Sequence, residues 1–193
     1  MDRAILILME DKGETEMDNQ LDVLKALRQT RHDWLNVMQL IKGNLALKRY
    51  DRIEEIIDQV TQQSICESKI SEIQAASVVY FLLTYNWFSS KLKLEIDVAG
   101  DVFSLEKDEV RMLRLCKQIT EKLTEGSSTE SENNLLLTFL FTDIECKVTF
   151  DFQGSLQMKK EDWLDFLSEW EPNVELVEMD ESECVLVARF MRS

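Results

Sequence analysis

Residues 28–47 read RQTRHDWLNVMQLIKGNLAL and carry the only histidine of the chain, His32. Around this stretch, Leu21, Leu24, Leu27, Leu35, Met38, Ile41 and Leu45 recur every three to four positions or a multiple of that step. That period gathers them into one stripe of an α-helix. On a wheel with Leu24 at zero, Leu35 and Met38 fall near the stripe centre, and His32 lies about 80° away. The imidazole is therefore expected to stand clear of a packed face while a rigid helix holds its base.

A second helical stripe follows in Ile53, Ile56, Ile57, Val60, Ile65, Ile70 and Ile73. The intervening KRYDRIEE (48–55) supplies the turn, with Asp51 read as an N-cap and Glu54 completing a capping box. Helices joined by so short a turn run antiparallel. A lone hairpin cannot cover its own stripes on every side, whereas two hairpins paired about a two-fold axis form a four-helix bundle. A homodimer is expected; the alternative packs the hairpin on the rest of the same chain.

Beyond residue 76 the period changes. SVVYFLLTYNWFSSKL (77–92) and LEKDEVRMLRLCKQITEKL (105–123) read as helices. KLKLEIDVAG (91–100) alternates with period two and ends on a turn glycine, Gly100. NNLLLTFLFTD (133–143) and ECKVTFDFQG (145–154) read as a hairpin of strands. KKEDWLDFLSEW (159–170) is a short amphipathic helix stopped by Pro172, and NVELVEMD with SECVLVARF form a last strand pair around the acidic turn Asp180–Glu183. The fold class expected is α+β: a long antiparallel hairpin, then a mostly antiparallel sheet with helices on one face. The domains expected are an N-terminal extension at 1–17, the hairpin at 18–74 and an α/β domain at 75–193, with a polar loop at 125–134.

The formal net charge of −15 argues against general nucleic-acid binding and against an anionic membrane surface. The apolar run Ala4–Met9 is too short to span a bilayer and reads as a short strand or a helical extension. Cys66, Cys116, Cys146 and Cys184 are far apart, form no C-x-x-C and have one histidine to join them, so they read as reduced, buried thiols rather than a zinc site. A cytoplasmic protein is expected.

Between residues 25 and 49, Lys25, Arg28, Arg31, Lys42, Lys48 and Arg49 face the single acid Asp33. A basic collar around one histidine in an acidic chain suits an anionic visitor such as a phosphoryl group. Arg28 and Asn36, four residues to either side, share the face of His32 and can bond phosphoryl oxygens or a partner backbone. The plainer reading stands beside this one: a solvated helix face, with Trp34 and Leu35 as core and Gly43 marking close helix approach. Residue chemistry alone leaves both open.

TRHDWLNVMQLIKGNLAL, followed by YDR, ESK, LTYNW and, near the end, SEC, resembles the sporulation initiation phosphotransferase B family of spore-forming bacilli. The match is densest over residues 31–52 and does not place the first seventeen residues. A looser H-D-x-x-N also occurs in sensor kinases related to the citrate and dicarboxylate sensors. The resemblance implies a dimeric four-helix bundle and a degenerate histidine-kinase ATPase-like domain. It implies that His32 accepts and donates a phosphoryl group in the initiation of sporulation. The donor would be a single-domain response regulator and the recipient the receiver domain of a sporulation transcription factor. The chain would need no cofactor, and Mg²⁺ would come with the partner. Beside His32, Asp33 is a candidate for orienting the ring, Arg28, Arg31 and Asn36 for docking or phosphoryl stabilisation, and Leu35 and Gln39 for partner contact.

Kinase nucleotide domains cradle phosphates with closely spaced glycines and an asparagine-bearing helix. After residue 76 only Gly100, Gly126 and Gly154 occur, there is no D-x-G, and VRMLRLCKQITEKL lacks asparagine. Autokinase activity is therefore not expected. Two classes remain: a phosphotransferase working through His32, and a non-catalytic dimeric module that docks a response regulator.

Overall fold

The computed structural model describes residues 2–89, 91–170 and 173–192, with side chains from Val23 onward except that of Lys160. The chain divides into two compact units, residues 1–59 and 60–193.

The first unit holds α1 (Asp2–Ala46) and the start of α2 (Tyr50–Ile70), the two arms of a helical hairpin. Ala4–Met9, read as a short strand or a helical extension, is part of α1. The reversal between the arms is a Schellman turn. Lys48 N–H donates to the Leu45 carbonyl (3.0 Å) and Arg49 N–H to that of Asn44 (2.9 Å), with Lys48 at φ +56° in the left-handed region. Asp51 does not cap α2 as expected: the helix already starts at Tyr50, and Asp51 stands in its first turn. The Schellman turn delivers the chain directly into helical geometry, and an acid one position inside still favours the positive end of the helix dipole.

The second unit contains the rest of α2, a 3-10 turn (Ser71–Ile73), α3 (Ala76–Phe88), β1 (Lys93–Ala99), α4 (Glu109–Gly126), β2 (Asn134–Phe141), β3 (Glu145–Gln153), α5 (Lys160–Leu167), β4 (Val174–Met179) and β5 (Glu183–Met191). The sheet order is β1-β2-β3-β5-β4. β1 runs parallel to β2 (Leu94 opposite Leu135), and the remaining pairs are antiparallel. Period-two alternation sends Leu135, Leu137, Phe139 and Phe141, then Cys146, Val148, Phe150 and Phe152, to the buried face. Cys184, Leu186, Ala188 and Phe190 continue that face across β5. Met112, Leu115, Cys116, Ile119 and Leu123 of α4 fill the same core, and α5 adds the fully buried Trp163. The helix read over residues 159–170 ends earlier than expected, at Leu167, where a turn closed by Trp170 N–H on the Leu167 carbonyl (2.8 Å) follows; Pro172 itself lies outside the described residues.

Side chains do backbone work here. Asn86 at the end of α3 donates through Nδ2 to the Leu94 carbonyl (2.6 Å) and accepts from Leu94 N–H at Oδ1 (2.8 Å), so its amide serves the edge strand as a neighbouring strand would. Glu109 accepts Ser77 N–H (2.6 Å) at the start of α3, and the bonds from Ser77 hold its carboxyl below the usual range. Gly100 turns the chain after β1 at φ +86°, where a β-carbon would run into the Phe141 carbonyl oxygen. The turn Asp180–Glu183 is closed by Asp180 Oδ1, which accepts from Ser182 N–H (2.6 Å) and Glu183 N–H (2.8 Å).

Candidate functional site

From Val23 to Ala46, no side chain of α1 is fully buried. The half-covered positions are Ala26, Val37, Ile41 and Asn44. Leu24, Leu27, Leu35, Met38 and Leu45, at the centre of the stripe read from the sequence, are about half exposed or more, Leu35 at 55%. Within one chain the strongest apolar stripe is thus left open. Trp34 is exposed too, against its reading as core. Gly43 meets nothing within 4 Å of an added β-carbon, so it is not a point of close helix approach in this chain.

His32 stands on this rigid element with 66% of its side chain exposed. Asn36, one turn later, brings Nδ2 to 3.1 Å from His32 Nδ1. Asp33 Oδ1 lies 3.6 Å from the same ring nitrogen and is itself held by Gln29 Nε2 at 2.9 Å. The Nδ1 edge is therefore occupied on its own helix, and no bond to Nε2 is present among the described residues. Gln29 is the residue that sequence reasoning missed. Its four-residue spacing from Asp33 was the available signal.

Arg28 and Arg31 are exposed and make no ion pair with another described residue. Gln39 and Gly43 lie within about 20° of His32 on the helix wheel, so they continue its face towards the turn. The structure thus gathers Arg28, Leu35, Asn36 and Gln39 around the ring on one exposed surface, with Asp33 reaching the ring from its side. Such an arrangement can present an imidazole nitrogen to an incoming electrophile without moving the backbone.

Elsewhere the chemistry is quiet. The four cysteines are buried, and desolvation pushes the thiols of Cys116, Cys146 and Cys184 up to about 12. Among the described residues no group of three or more His, Cys, Asp or Glu could hold a metal ion. No helix there is long and apolar enough to cross a membrane.

Two family models match the chain. One described as the α-helical domain of SpoOB-type sensor kinases covers residues 12–73, and one described as the C-terminal part of sporulation initiation phosphotransferase B covers residues 74–191. The chain is 32% identical over 148 residues to the sporulation initiation phosphotransferase B of Bacillus subtilis (strain 168), covering 76% of each protein. Among solved structures it is similar to the histidine kinase AdeS of Acinetobacter baumannii, at 11% identity and a TM-score of 0.42, covering 83% of this chain and 97% of that one. It is also similar to the histidine kinase ThkA in complex with the response regulator protein TrrA, at 13% identity and a TM-score of 0.44, covering 95% of this chain and 66% of that one.

Proposed function

The chain belongs to the sporulation initiation phosphotransferase B family, and we propose that it relays a phosphoryl group through His32 between two response-regulator aspartates. The observation that carries this reading is the exposed ring whose Nδ1 edge is engaged by Asn36 at 3.1 Å, leaving Nε2 to the solvent side.

In the first half-reaction the Nε2 lone pair attacks the phosphorus of the donor's aspartyl phosphate. The N–P bond forms as the P–O bond to the aspartate breaks, and the carboxylate leaves with the electron pair. Attack through Nε2 requires the ring proton on Nδ1. Asp33, 3.6 Å away, favours that protonation, whereas the Asn36 amide nitrogen, 3.1 Å from Nδ1, donates to the unprotonated nitrogen and has to release it before transfer. The second half-reaction reverses these steps on the recipient's aspartate. Both phosphorylated species are activated, so the protein contributes alignment and charge stabilisation rather than a large driving force. Arg28 and Arg31 lie where they can meet phosphoryl oxygens or an acidic partner surface. Leu35 and Gln39 offer partner contacts. Mg²⁺ belongs with the partner's acidic pocket.

The donor in this reading is a single-domain response regulator, and the recipient is the receiver domain of a sporulation transcription factor. The open stripe of Leu24, Leu27, Leu35, Met38 and Leu45 supports a homodimer in which two hairpins close a four-helix bundle. The test is an assay with a labelled phospho-receiver, this chain and a second receiver. Wild type moves the label through an acid-labile intermediate, and His32→Ala does not. Transfer that persists without the imidazole removes the enzyme reading and leaves a docking module. Acid-labile label from ATP alone would restore a kinase.

A further inference from the structure

A cavity of about 680 Å³ opens on the helical layer of the second unit, between α3 and α4. Its walls are Tyr80, Phe81, Tyr85 and Phe88 of α3 with Leu113 and Lys117 of α4. α3 is apolar around most of its circumference, a composition expected of a helix covered on all sides. Yet Tyr80 and Phe88, two turns apart on one stripe, are 60% and 61% exposed. The space between them is a concavity: small residues alternate with the aromatics along α3, and the buried Thr84 spends its hydroxyl on the Tyr80 carbonyl (2.6 Å). Phe81 and Tyr85 pack edge to face at 5.6 Å, and Tyr85 Oη bonds Thr124 Oγ1 at 3.2 Å, so this wall is preformed.

Among the described residues, Lys117 is the only charged one lining the groove. Its ammonium group makes no ion pair or hydrogen bond with another described residue. On the same helix, Glu109 is already held by Ser77, and Glu121, four residues after Lys117, forms no ion pair with it. A volume within roughly 300–1,000 Å³, mostly apolar walls and one unspent polar group describe a small-molecule site. Among the described residues one cation and no glycine line the groove, and the α3 N-terminus at Ala76 and Ser77 already gives the Ser77 N–H to Glu109, which does not suit a nucleotide's phosphate chain. An anionic bilayer is disfavoured by the net charge of −15. We propose that the α3–α4 groove binds a free amphiphilic carboxylate, its apolar chain along Tyr80, Phe81, Tyr85 and Phe88 and its head group on Lys117. The domain that lacks nucleotide motifs would then give the protein a ligand input of another chemical class.

Titration calorimetry on the full chain tests this with decanoate, decanol and decyltrimethylammonium below their micellar concentrations. Decanoate is expected to bind saturably at one site per chain and more tightly than either alternative. Lys117→Gln weakens decanoate about tenfold and leaves decanol unchanged. Ala76→Trp, which places an indole in the groove from its exposed rim, abolishes binding while circular dichroism stays native. No saturable binding, equal binding of the three probes, or indifference to Lys117→Gln overturns the proposal. Two further results overturn it by naming another occupant. Dissociation of an oligomer by Tyr80→Glu gives the face to a second copy, and lost phosphotransfer in Ala76→Trp without decanoate binding to wild type gives it to a partner protein.

Discussion

Asn36 Nδ2 lies 3.1 Å from His32 Nδ1, one helical turn along α1. With its nitrogen turned to the ring, the amide donates and Nδ1 accepts, which places the proton of a neutral ring on Nε2. Asp33 Oδ1, 3.6 Å from the same nitrogen, favours the opposite tautomer. The two neighbours compete for one ring edge, so the population of the transfer-competent form depends on both. Asn36→Ala is expected to shift the neutral ring towards the Nδ1–H form, read as a change in the ¹⁵N shifts of the two ring nitrogens. Identical shifts in the variant would remove Asn36 from tautomer control.

The arginines of the histidine face act at a distance. Arg28→Gln and Arg31→Gln should each slow transfer several-fold at low salt, and the wild-type rate should fall as ionic strength rises through the range where exposed charges are screened. Stopped-flow mixing with a phospho-receiver over a salt series measures both. A flat salt profile would show that the collar is only a solvated face.

The open stripe of α1 predicts self-association. Leu27→Glu combined with Met38→Glu places carboxylates on two exposed stripe positions, so it should turn a dimer into monomers in sedimentation velocity without changing the spectrum of the second unit. A wild-type monomer at micromolar concentration would contradict the bundle.

Gly43 has open space around its α-carbon inside a helix, where glycine costs about 0.5–1 kcal/mol against alanine. Gly43→Ala is therefore expected to raise the melting temperature by a few degrees. A loss of stability would mean that a second copy closes on that point. Lys48 has φ +56°, so Lys48→Gly should also stabilise, by up to about 1 kcal/mol, by relieving the left-handed strain at the hairpin turn.

Burial raises the thiols of Cys116, Cys146 and Cys184 to about 12 from the usual value of 9.0. At pH 8 their thiolate fraction falls about a thousandfold below that of a free cysteine, since each pKa unit is a factor of ten. Ellman's reagent should find these three thiols inert in the native protein and find all four reactive in denaturant. Rapid native labelling of any of the three would show that the helical layer opens.

Elements set by local pattern were legible in the sequence. The helical stripe beside His32, the period-two strands β2 and β3, the turn at Gly100 and the acidic turn at Asp180 all arise from residues within a few positions of one another. At the candidate site, the exposed His32 followed from its place beside the apolar stripe, and its neighbour Asn36 from four-residue spacing. Asp51 was misread because capping chemistry looks alike at a cap and in a first turn, and the deciding feature was the Schellman geometry of Lys48.

Which residues could face a core was fixed by the order of side chains along the chain. Whether they do so depended on partners distant in sequence. Only the fold decided that β1 joins β2 in parallel, that Asn86 serves Leu94 as a strand would, and that the main apolar stripe of α1 stays uncovered within one chain. Periodicity is a property of one helix or strand, and contact is a property of two. A repeat of side chains therefore specifies a face, and the tertiary structure alone specifies what, if anything, lies against it.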